Sequence, residues 1–258
     1  MELKGTHYCK RMNIRQYLDS TYLKTPLQAG LNEEENTIVV REYINEAIEE
    51  NFKLIMVRPN MVSLAKKIIA DSDSNVQVGT VIDFPEGKSN LEAKLTEANQ
   101  AIQDGADDLD FVCNYEAFKE GNIDLVKEEI LSCTQLGLVN NKVVKWIIEV
   151  AALNENQIIQ LSALIKNIVI SNFKEEQYDS VFVKSSTGFY KTENNLPNGA
   201  TVPAIILMLE SAAPLPVKAA GGVRAYDEAV EMIRLGVKRI GTSVAGAIVK
   251  GQNLQSEY

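Results

Sequence analysis

The sequence is poor in histidine and cysteine. It has one histidine, His7, and three cysteines, Cys9, Cys113 and Cys133, among 258 residues. A single histidine excludes a His-rich zinc centre and a Ser-His-Asp triad, so we expect no metal site and interpret His7 as a surface residue. An odd number of cysteines without metal-ligand spacing predicts reduced thiols in a reducing compartment, not disulfides.

The sequence also lacks long apolar runs and an excess of basic residues. Its start, MELKGTHYCKRMN, has no apolar signal-peptide core, and no later run approaches the ~20 apolar residues that cross a bilayer. The formal net charge is -9, from 26 basic and 35 acidic residues, and such a surface repels polyanions. We therefore expect a cytoplasmic protein that binds no nucleic acid and no membrane, while small anions can bind locally.

No low-complexity stretch or Pro/Gly-rich linker divides the chain. With 258 residues and 45% hydrophobic content, it is long enough for one large core and falls in the size range of an α/β barrel. We predict a single domain over residues 1–258, with an N-terminal extension at 1–14 and a flexible, polar C-terminal tail at 251–258.

What the sequence does contain is an alternation of short apolar runs with longer amphipathic segments. This pattern is typical of βα units around a parallel sheet, and eight units predict closure into an α/β-class (β/α)8 TIM barrel. One helix shows Leu91, Leu95, Ala98 and Ile102 at helical spacing before Gly105, where a left-handed cap would end it. The predicted strands are Gln16–Leu23, Phe52–Val57, Val76–Ile82, Asp108–Cys113, Val143–Val150, Ser180–Ser185, Pro216–Ala220 and Arg239–Thr242.

A doubly wound open sheet is the competing architecture, because Gly221 and Gly222 resemble part of a dinucleotide-binding motif. These glycines lie in the seventh unit instead of the first, lack the full G-x-G-x-x-G spacing and have no acidic partner about 20 residues on. The barrel is therefore favoured.

Two lysines lie near the carboxyl ends of neighbouring predicted strands, Lys184 in VFVKSSTGF and Lys218 in PVKAAGGVR. In a barrel both ends face the active-site mouth. Like charge and desolvation favour a neutral amine, and a neutral amine attacks a carbonyl to form an imine. The alternative for each lysine is a structural one, in which it snorkels or pairs with a carboxylate. Two lysines together, followed by glycines, favour the catalytic interpretation.

Acidic residues on the fourth and fifth strands are candidate partners for these lysines. Asp110 lies in the middle of the fourth strand and is expected to point into the barrel, whereas Asp108 is placed at the strand entrance. Asp110 can keep one lysine protonated and relay protons, or can be a structural ion-pair partner only. Lys145, on the fifth strand, is interpreted as a supporting cation, and Glu149 has the parity to balance it.

Glycines after the lysine strands predict an anion site. Gly188, Gly221 and Gly222 can present backbone N–H groups to a phosphate, and Ser243 opens the last helix. Loops after the seventh and eighth strands with a short helix N-terminus form the recurrent phosphate site of barrels. The predicted ligand is a small phosphorylated sugar, although each glycine taken alone is more often a turn residue.

The motifs that carry these residues resemble those of the deoxyribose-phosphate aldolase family. The resemblance runs through YLDSTYLK, MVRPNMVSLAKKII, GTVIDFPEGKSNLEAK, GADDLDFVCNY, KWIIEV, VKSSTGF, VKAAGGVR and RIGTS, and covers nearly the whole predicted barrel. It implies that Lys184 is the Schiff-base lysine, Lys218 the second active-site lysine and Asp110 the proton-relay aspartate. Asp19 and Thr21, in LDST, match positions near substrate hydroxyls.

The activity that the resemblance implies is the reversible cleavage of 2-deoxy-D-ribose 5-phosphate to glyceraldehyde 3-phosphate and acetaldehyde in nucleoside catabolism, without a metal or organic cofactor. It also makes a homo-oligomer, a dimer, plausible. Ser20 and Met56 depart from the family's usual histidine and cysteine, and we expect these changes to bear on substrate fit. A related class I aldolase for another phosphosugar and a catalytically silent phosphosugar-binding barrel are the alternatives.

The C-terminal tail ends in Tyr258. About eight extended residues span some 25 Å, enough to return to the mouth of the barrel. Some relatives end in a tyrosine credited with a proton relay. Tyr258 is therefore a candidate for protonation of the enamine carbon, and a tail without a role is the alternative.

Overall fold

The computed structural model describes residues 12–193 and 196–251. Eight parallel strands pair in chain order, and β1 pairs with β8 to close the barrel. The predicted (β/α)8 fold is confirmed. The strands are β1 Leu18–Thr21, β2 Leu54–Val57, β3 Gln77–Ile82, β4 Asp108–Val112, β5 Val143–Ile147, β6 Val181–Lys184, β7 Val217–Ala220 and β8 Arg239–Thr242.

Helices cover the outside of the barrel, and side-chain caps fix where many of them begin. Asn32, Asn90 and Asn154 each accept a hydrogen bond from a backbone N–H of the first helical turn. Gly105 follows the end of its helix with the predicted left-handed conformation, φ 99°, and Gly236 does the same with φ 117°. The helices are α1 Pro26–Ala29, α2 Glu33–Glu49, α3 Val62–Ala70, α4 Leu91–Gln103, α5 Tyr115–Lys119, α6 Ile123–Val139, α7 Glu155–Asn172, α8 Val202–Ala212, α9 Tyr226–Leu235 and α10 Ala245–Lys250.

All eight strands lie within the predicted ranges, and several are shorter than predicted. The fifth strand ends at Ile147, and Glu149 beyond it has a left-handed backbone with φ 54°. Because the chain bends there, alternation no longer decides which way the side chain points. The expectation that Glu149 shares a strand face with Lys145 is therefore wrong.

Alternation along the strands divides their side chains between two environments. The larger apolar core lies between barrel and helices and includes Ile55, Leu109 and Trp146. A smaller cluster of Leu23, Leu54, Met56 and Val81 forms the interior wall at β2 and β3. Gly79 belongs to that wall, and a Cβ there would lie 2.7 Å from the Met56 Cε atom. We call this cluster the apolar wall.

Cys113 and Cys133 are buried free thiols, whereas His7 and Cys9 lie outside the described residues. Across residues 12–193 and 196–251, no helix is long and apolar enough to cross a membrane.

Candidate active site

Lys184 and Lys218 are direct neighbours in the barrel. They are paired in register on β6 and β7, so their side chains leave adjacent strands at the same level. Both are buried, with 3% and 0% of their surface exposed. A buried ammonium is unfavourable without compensation, so the surroundings of these two amines decide their charge.

Asp110 lies between the two lysines. Its Oδ2 accepts hydrogen bonds from the Lys184 Nζ at 2.8 Å and from the Lys218 Nζ at 3.0 Å. The other oxygen, Oδ1, accepts from the Lys145 Nζ at 2.7 Å. One fully buried carboxylate therefore serves three lysines from three strands, as expected for an inward-pointing Asp110.

Asp108, at the entrance of β4 as predicted, also points into the barrel interior. It lies two positions before Asp110, and strand alternation places both on the same face. The Lys145 Nζ lies 2.7 Å from Asp108 Oδ2, so Asp108 and Asp110 balance Lys145 together. The expected pairing of Lys145 with Glu149 is wrong for this reason. The two-residue spacing in DDLD was the sequence signal that could have identified Asp108.

Arg239 and Asp19 complete a closed circuit of buried charges. The Arg239 Nη2 lies 2.6 Å from Asp19 Oδ1 and 3.3 Å from Asp108 Oδ2. Asp19 Oδ2 lies 2.6 Å from the Lys218 Nζ. We call this circuit the charged ring. In order, its members are Asp110, Lys145, Asp108, Arg239, Asp19 and Lys218, with Lys184 attached at Asp110.

The environment of Lys184 favours its neutral amine. Burial lowers the pKa of Lys184 from 10.5 to about 8, against the opposing attraction of Asp110 and with help from the nearby Lys218. For Asp110, burial alone would raise the pKa, but Lys145, Lys184 and Lys218 outweigh it and hold the pKa well below its usual range. At neutral pH, Asp110 is a carboxylate beside an amine that releases its proton easily.

A pocket opens beside Lys184 at the carboxyl ends of the strands. Thr21 lies in its wall, as do all four residues predicted to bind phosphate: Gly188, Gly221, Gly222 and Ser243. It adjoins a larger cleft of about 1050 Å³, and the two share Gly221, Gly222 and Arg224. Further wall residues, including Ser186, Asn198 and Arg224, were not predicted from the sequence, because loops carry no periodic signal.

Close backbone packing explains two of the glycines. A Cβ on Gly199 would lie 2.4 Å from the Gly221 carbonyl oxygen, and one on Gly221 would lie 3.0 Å from the Gly199 Cα atom. The Ala200 N–H donates to the Gly221 oxygen at 2.7 Å. The loop after β6 is thereby held against the loop after β7, and both contribute to the pocket.

Glu149 braces the loop after β6. It is 1% exposed and accepts hydrogen bonds from the Ser186 Oγ at 2.8 Å, from the Thr187 N–H at 3.1 Å and from the Thr187 Oγ1. Burial raises the pKa of Glu149, although these hydrogen bonds act in the opposite direction. Gly188, which follows the braced residues, is thus held in place at the pocket wall.

The remaining predicted positions fall in three places. Asp19 lies beneath the pocket, where it pairs with Lys218 and Arg239. Met56 is part of the apolar wall, where Phe84 and Phe189 pack against the same cluster. Ser20 alternates with Asp19 and Thr21 and so faces the helices, away from the pocket. Tyr258 lies outside the described residues.

The chain matches known proteins over nearly its full length. Residues 16–253 match the family model described as DeoC/LacD family aldolase. A Thermococcus gammatolerans protein named deoxyribose-phosphate aldolase is 38% identical over 241 residues, which cover 93% of this chain and 96% of that one.

Two solved structures have the same barrel. A putative deoxyribose-phosphate aldolase from Coccidioides immitis is 30% identical with a TM-score of 0.75, over 92% of this chain and 84% of that one. Deoxyribose phosphate aldolase from Aeropyrum pernix, described as a unique tetramer, is 26% identical with a TM-score of 0.74, over 92% and 89% of the two chains.

Proposed function

This chain belongs to the DeoC/LacD family of aldolases, and on that premise we propose that it reversibly cleaves 2-deoxy-D-ribose 5-phosphate to D-glyceraldehyde 3-phosphate and acetaldehyde. The observation that carries the proposal is the Lys184 amine, which is buried in the wall of a pocket beside Asp110, with its pKa lowered to about 8. An amine in this state is a nucleophile near neutral pH.

The reaction begins when the neutral Lys184 amine attacks the C1 aldehyde of the open-chain sugar. The carbinolamine takes up a proton, loses water and becomes a protonated imine. A base takes the proton of the C3 hydroxyl, the C2–C3 bond breaks and glyceraldehyde 3-phosphate leaves. The electron pair of that bond forms an enamine on Lys184. Protonation at C2 and hydrolysis then release acetaldehyde and restore the amine.

Asp110 and Lys218 are the proposed proton carriers. Asp110 shares one oxygen between Lys184 and Lys218, so a proton released by one amine has an acceptor within 3.0 Å and a second amine beyond it. Such a chain can supply and remove the protons of carbinolamine dehydration. Lys145 supports Asp110 from the opposite oxygen.

We propose that the pocket holds the phosphate with Gly188, Gly221, Gly222 and Ser243, while Thr21 faces the sugar hydroxyls. Backbone N–H groups of glycines suit close approach to an anion. Arg224 borders the same pocket and supplies a positive charge on the side of the larger cleft. The phosphate is the part of the substrate that orients its carbonyl toward Lys184.

Borohydride trapping with deoxyribose 5-phosphate, followed by peptide mapping, tests the proposal. We expect the reduced adduct on Lys184, and no adduct in the Lys184→Arg variant. An adduct on Lys218 with Lys184 free would reverse the two roles. No adduct together with tight sugar binding would make the protein a silent phosphosugar-binding barrel. Cleavage of a different phosphosugar only would identify a related class I aldolase.

The proposed chemistry uses an amine and a carboxylate and requires no metal ion or organic cofactor. We therefore expect chelators to leave the cleavage rate unchanged in a coupled assay of glyceraldehyde 3-phosphate. Activity lost to a chelator and restored by one divalent ion would contradict this part of the proposal.

We further propose a homo-oligomer, a dimer, acting in the cytoplasm in nucleoside catabolism. The tetrameric description of the Aeropyrum pernix relative supports self-association in this family, and analytical ultracentrifugation measures the oligomeric state of this chain.

For Tyr258 we propose a proton relay at the enamine carbon. Tyr258→Phe should slow deuterium uptake into acetaldehyde more than it weakens sugar binding, and unchanged uptake would remove the tyrosine from the relay.

A further inference from the structure

Two members of the charged ring have no part in the proposed chemistry. Asp108 and Arg239 are buried, at 0% and 5% exposure, and among the described residues neither lines the pocket. They meet each other at 3.3 Å and join Lys145 to Asp19. Without this link the ring would be two separate arms, one from Asp110 to Lys145 and one from Asp110 to Asp19.

The ring is balanced in charge. Its carboxylates are Asp19, Asp108 and Asp110, and its cations are Lys145, Lys218 and Arg239. Three negative and three positive charges cancel, so a protonated Lys184 is the seventh charge and has no counter-charge left within the ring. A neutral Lys184 leaves the whole buried cluster electroneutral, which is the cheaper state in a medium of low dielectric.

Asp108 contributes to the charged ring through its charge more than through hydrogen bonding. Neither of its oxygens has an aligned hydrogen bond among the described residues, yet two cations lie within 3.3 Å of its Oδ2. A buried carboxylate without aligned donors is a poor structural link. Its clearest contribution is one negative charge at a fixed place.

We propose that Asp108 and Arg239 are positioning residues that set the charge surrounding Lys184 and so determine how readily its amine can attack a carbonyl. This inference rests on the proposed function. Asp108 acts through Lys145 and Asp110. Arg239 acts through Asp19, Lys218 and Asp110.

The groups that face Lys184 from the other elements support this assignment. β2 and β3 contribute the apolar wall, which carries no charge. β5 contributes Lys145. The turn after it contributes Glu149, which accepts hydrogen bonds from Ser186 and Thr187 and attracts Lys184 more weakly than it binds them. The remaining charges on the strands around Lys184 are those of the ring, on β1, β4, β7 and β8.

Two variants that each remove one charge, of opposite sign, separate this role from a structural one; Asp108→Asn is isosteric, and Arg239→Gln has a shorter side chain. Asp108→Asn leaves one positive charge in excess, so the Lys184 amine should stay neutral to lower pH. Arg239→Gln leaves one negative charge in excess, so the ammonium should persist to higher pH. We expect shifts in the midpoint of imine formation on the order of one pH unit, downward for Asp108→Asn and upward for Arg239→Gln.

The measurement is the rate of cyanoborohydride trapping of acetaldehyde on Lys184 against pH, read by intact mass and peptide mapping. Acetaldehyde has no phosphate, so the substrate does not titrate. The double variant Asp108→Asn/Arg239→Gln restores neutrality, and its midpoint should return to that of the unaltered protein. Arg239→Lys keeps the charge and should leave the midpoint in place.

Shifts of opposite sign, cancelled in the double variant, support the proposal. Shifts of the same sign, or unchanged midpoints in folded variants, would overturn it and leave Asp108 and Arg239 as structural residues. If Arg239→Gln does not fold, Asp108→Asn and the double variant still decide the question, because only a charge effect is reversed by the second change. Failure of acetaldehyde to label Lys184 in the unaltered protein at any pH would instead defeat the proposed function.

Discussion

Lys94 and Lys184 are both almost completely buried, in very different surroundings. Lys94, on α4 outside the barrel, donates hydrogen bonds to the Gly87 oxygen at 3.1 Å, to the Val112 oxygen at 3.2 Å and to Glu129 Oε2 at 2.8 Å. Lys184, inside the barrel, shares one oxygen of Asp110 with Lys218. Lys94 thus has an acceptor for each ammonium proton, whereas Lys184 competes for its acceptor with a second cation.

The difference shows that burial alone does not make a lysine reactive. The Lys94 Nζ makes a hydrogen bond with each of its three acceptors, so its contacts are those of a structural residue. An ammonium beside another cation gains from losing the proton. Lys94 connects the loop after β3 to α6, and Lys184 is available for chemistry.

The largest expected effect concerns catalysis. Lys184→Met should lower cleavage of deoxyribose 5-phosphate by roughly 10⁴-fold or more, because it removes the nucleophile that forms the imine. Lys94→Met is the matched variant and should retain the activity of each folded molecule. Both are measured by steady-state cleavage, normalised to the folded fraction. Comparable losses of cleavage activity in the two variants would show that Lys184 has no catalytic role that Lys94 lacks.

The next effect concerns stability. Lys94→Met should lower the free energy of unfolding by about 3–5 kcal/mol, because Glu129 is left as a buried charge without its cation. Urea denaturation measures it. Lys127→Met removes a lysine that is 51% exposed and should change stability by less than about 1 kcal/mol. A loss no greater for Lys94 than for Lys127 would mean that the Lys94 cluster is not a structural connection.

The third prediction is a gain in stability, whereas Lys94→Met should cause a loss. The pKa of Lys184 is about 8 in the folded protein, whereas an ordinary lysine has a pKa of 10.5. Between these two pH values the unfolded chain therefore binds more protons than the folded protein. Stability therefore rises with pH from about 8 to 10.5, and below pH 8 the buried amine destabilises the fold. Lys184→Met should be more stable than the unaltered protein at pH 7, by on the order of 2 kcal/mol. The gain should shrink as the pH approaches 10.5, and a variant less stable at every pH would contradict the assigned environment.

The smallest effect involves Glu149, whose carboxylate accepts hydrogen bonds from the pocket loop. Glu149→Gln weakens the hydrogen bonds from Ser186 and Thr187 that hold the loop in place. It should raise KM about 10-fold, which corresponds to roughly 1.4 kcal/mol of binding free energy. The pH midpoint of imine formation should shift less than in Asp108→Asn, because Lys184 affects Glu149 less than the loop hydrogen bonds do. Steady-state kinetics across pH distinguishes an effect on KM from an effect on the pH midpoint. A shifted midpoint with unchanged KM would mean that Glu149 acts on the charge of Lys184 and not on the loop.

Much of the fold and part of the site could be predicted from the sequence. Alternating apolar and amphipathic segments marked all eight strands, and the glycine loops marked the pocket wall. Local pattern could not reveal the bend at Glu149 or the pairing of Asp108. Asp110 meets Lys218 across 108 residues and Asp19 meets Arg239 across 220, and such distant contacts leave no periodic signal.

Lys94 was hidden for a different reason. It lies at helical spacing with Ala98 and Ala101, which are buried with it, so its position predicts burial while its chemistry suggests an exposed residue. Only the place of Glu129 on a later helix explains why a lysine is tolerated there.

The order of the charged ring along the chain has a consequence for assembly of the protein. Asp19, Asp108 and Asp110 belong to the first four strands, whereas Lys145, Lys184, Lys218 and Arg239 belong to the last four. The charged groups inside a half-barrel of β1–β4 would all be carboxylates, and those inside a half-barrel of β5–β8 would all be cations, so like charges would repel one another in each half alone. The two halves are electrostatically complementary. Fragments divided near residue 140 and expressed separately would each have unpaired like charges in the interior, and association of the two fragments would pair each charge with a counter-charge.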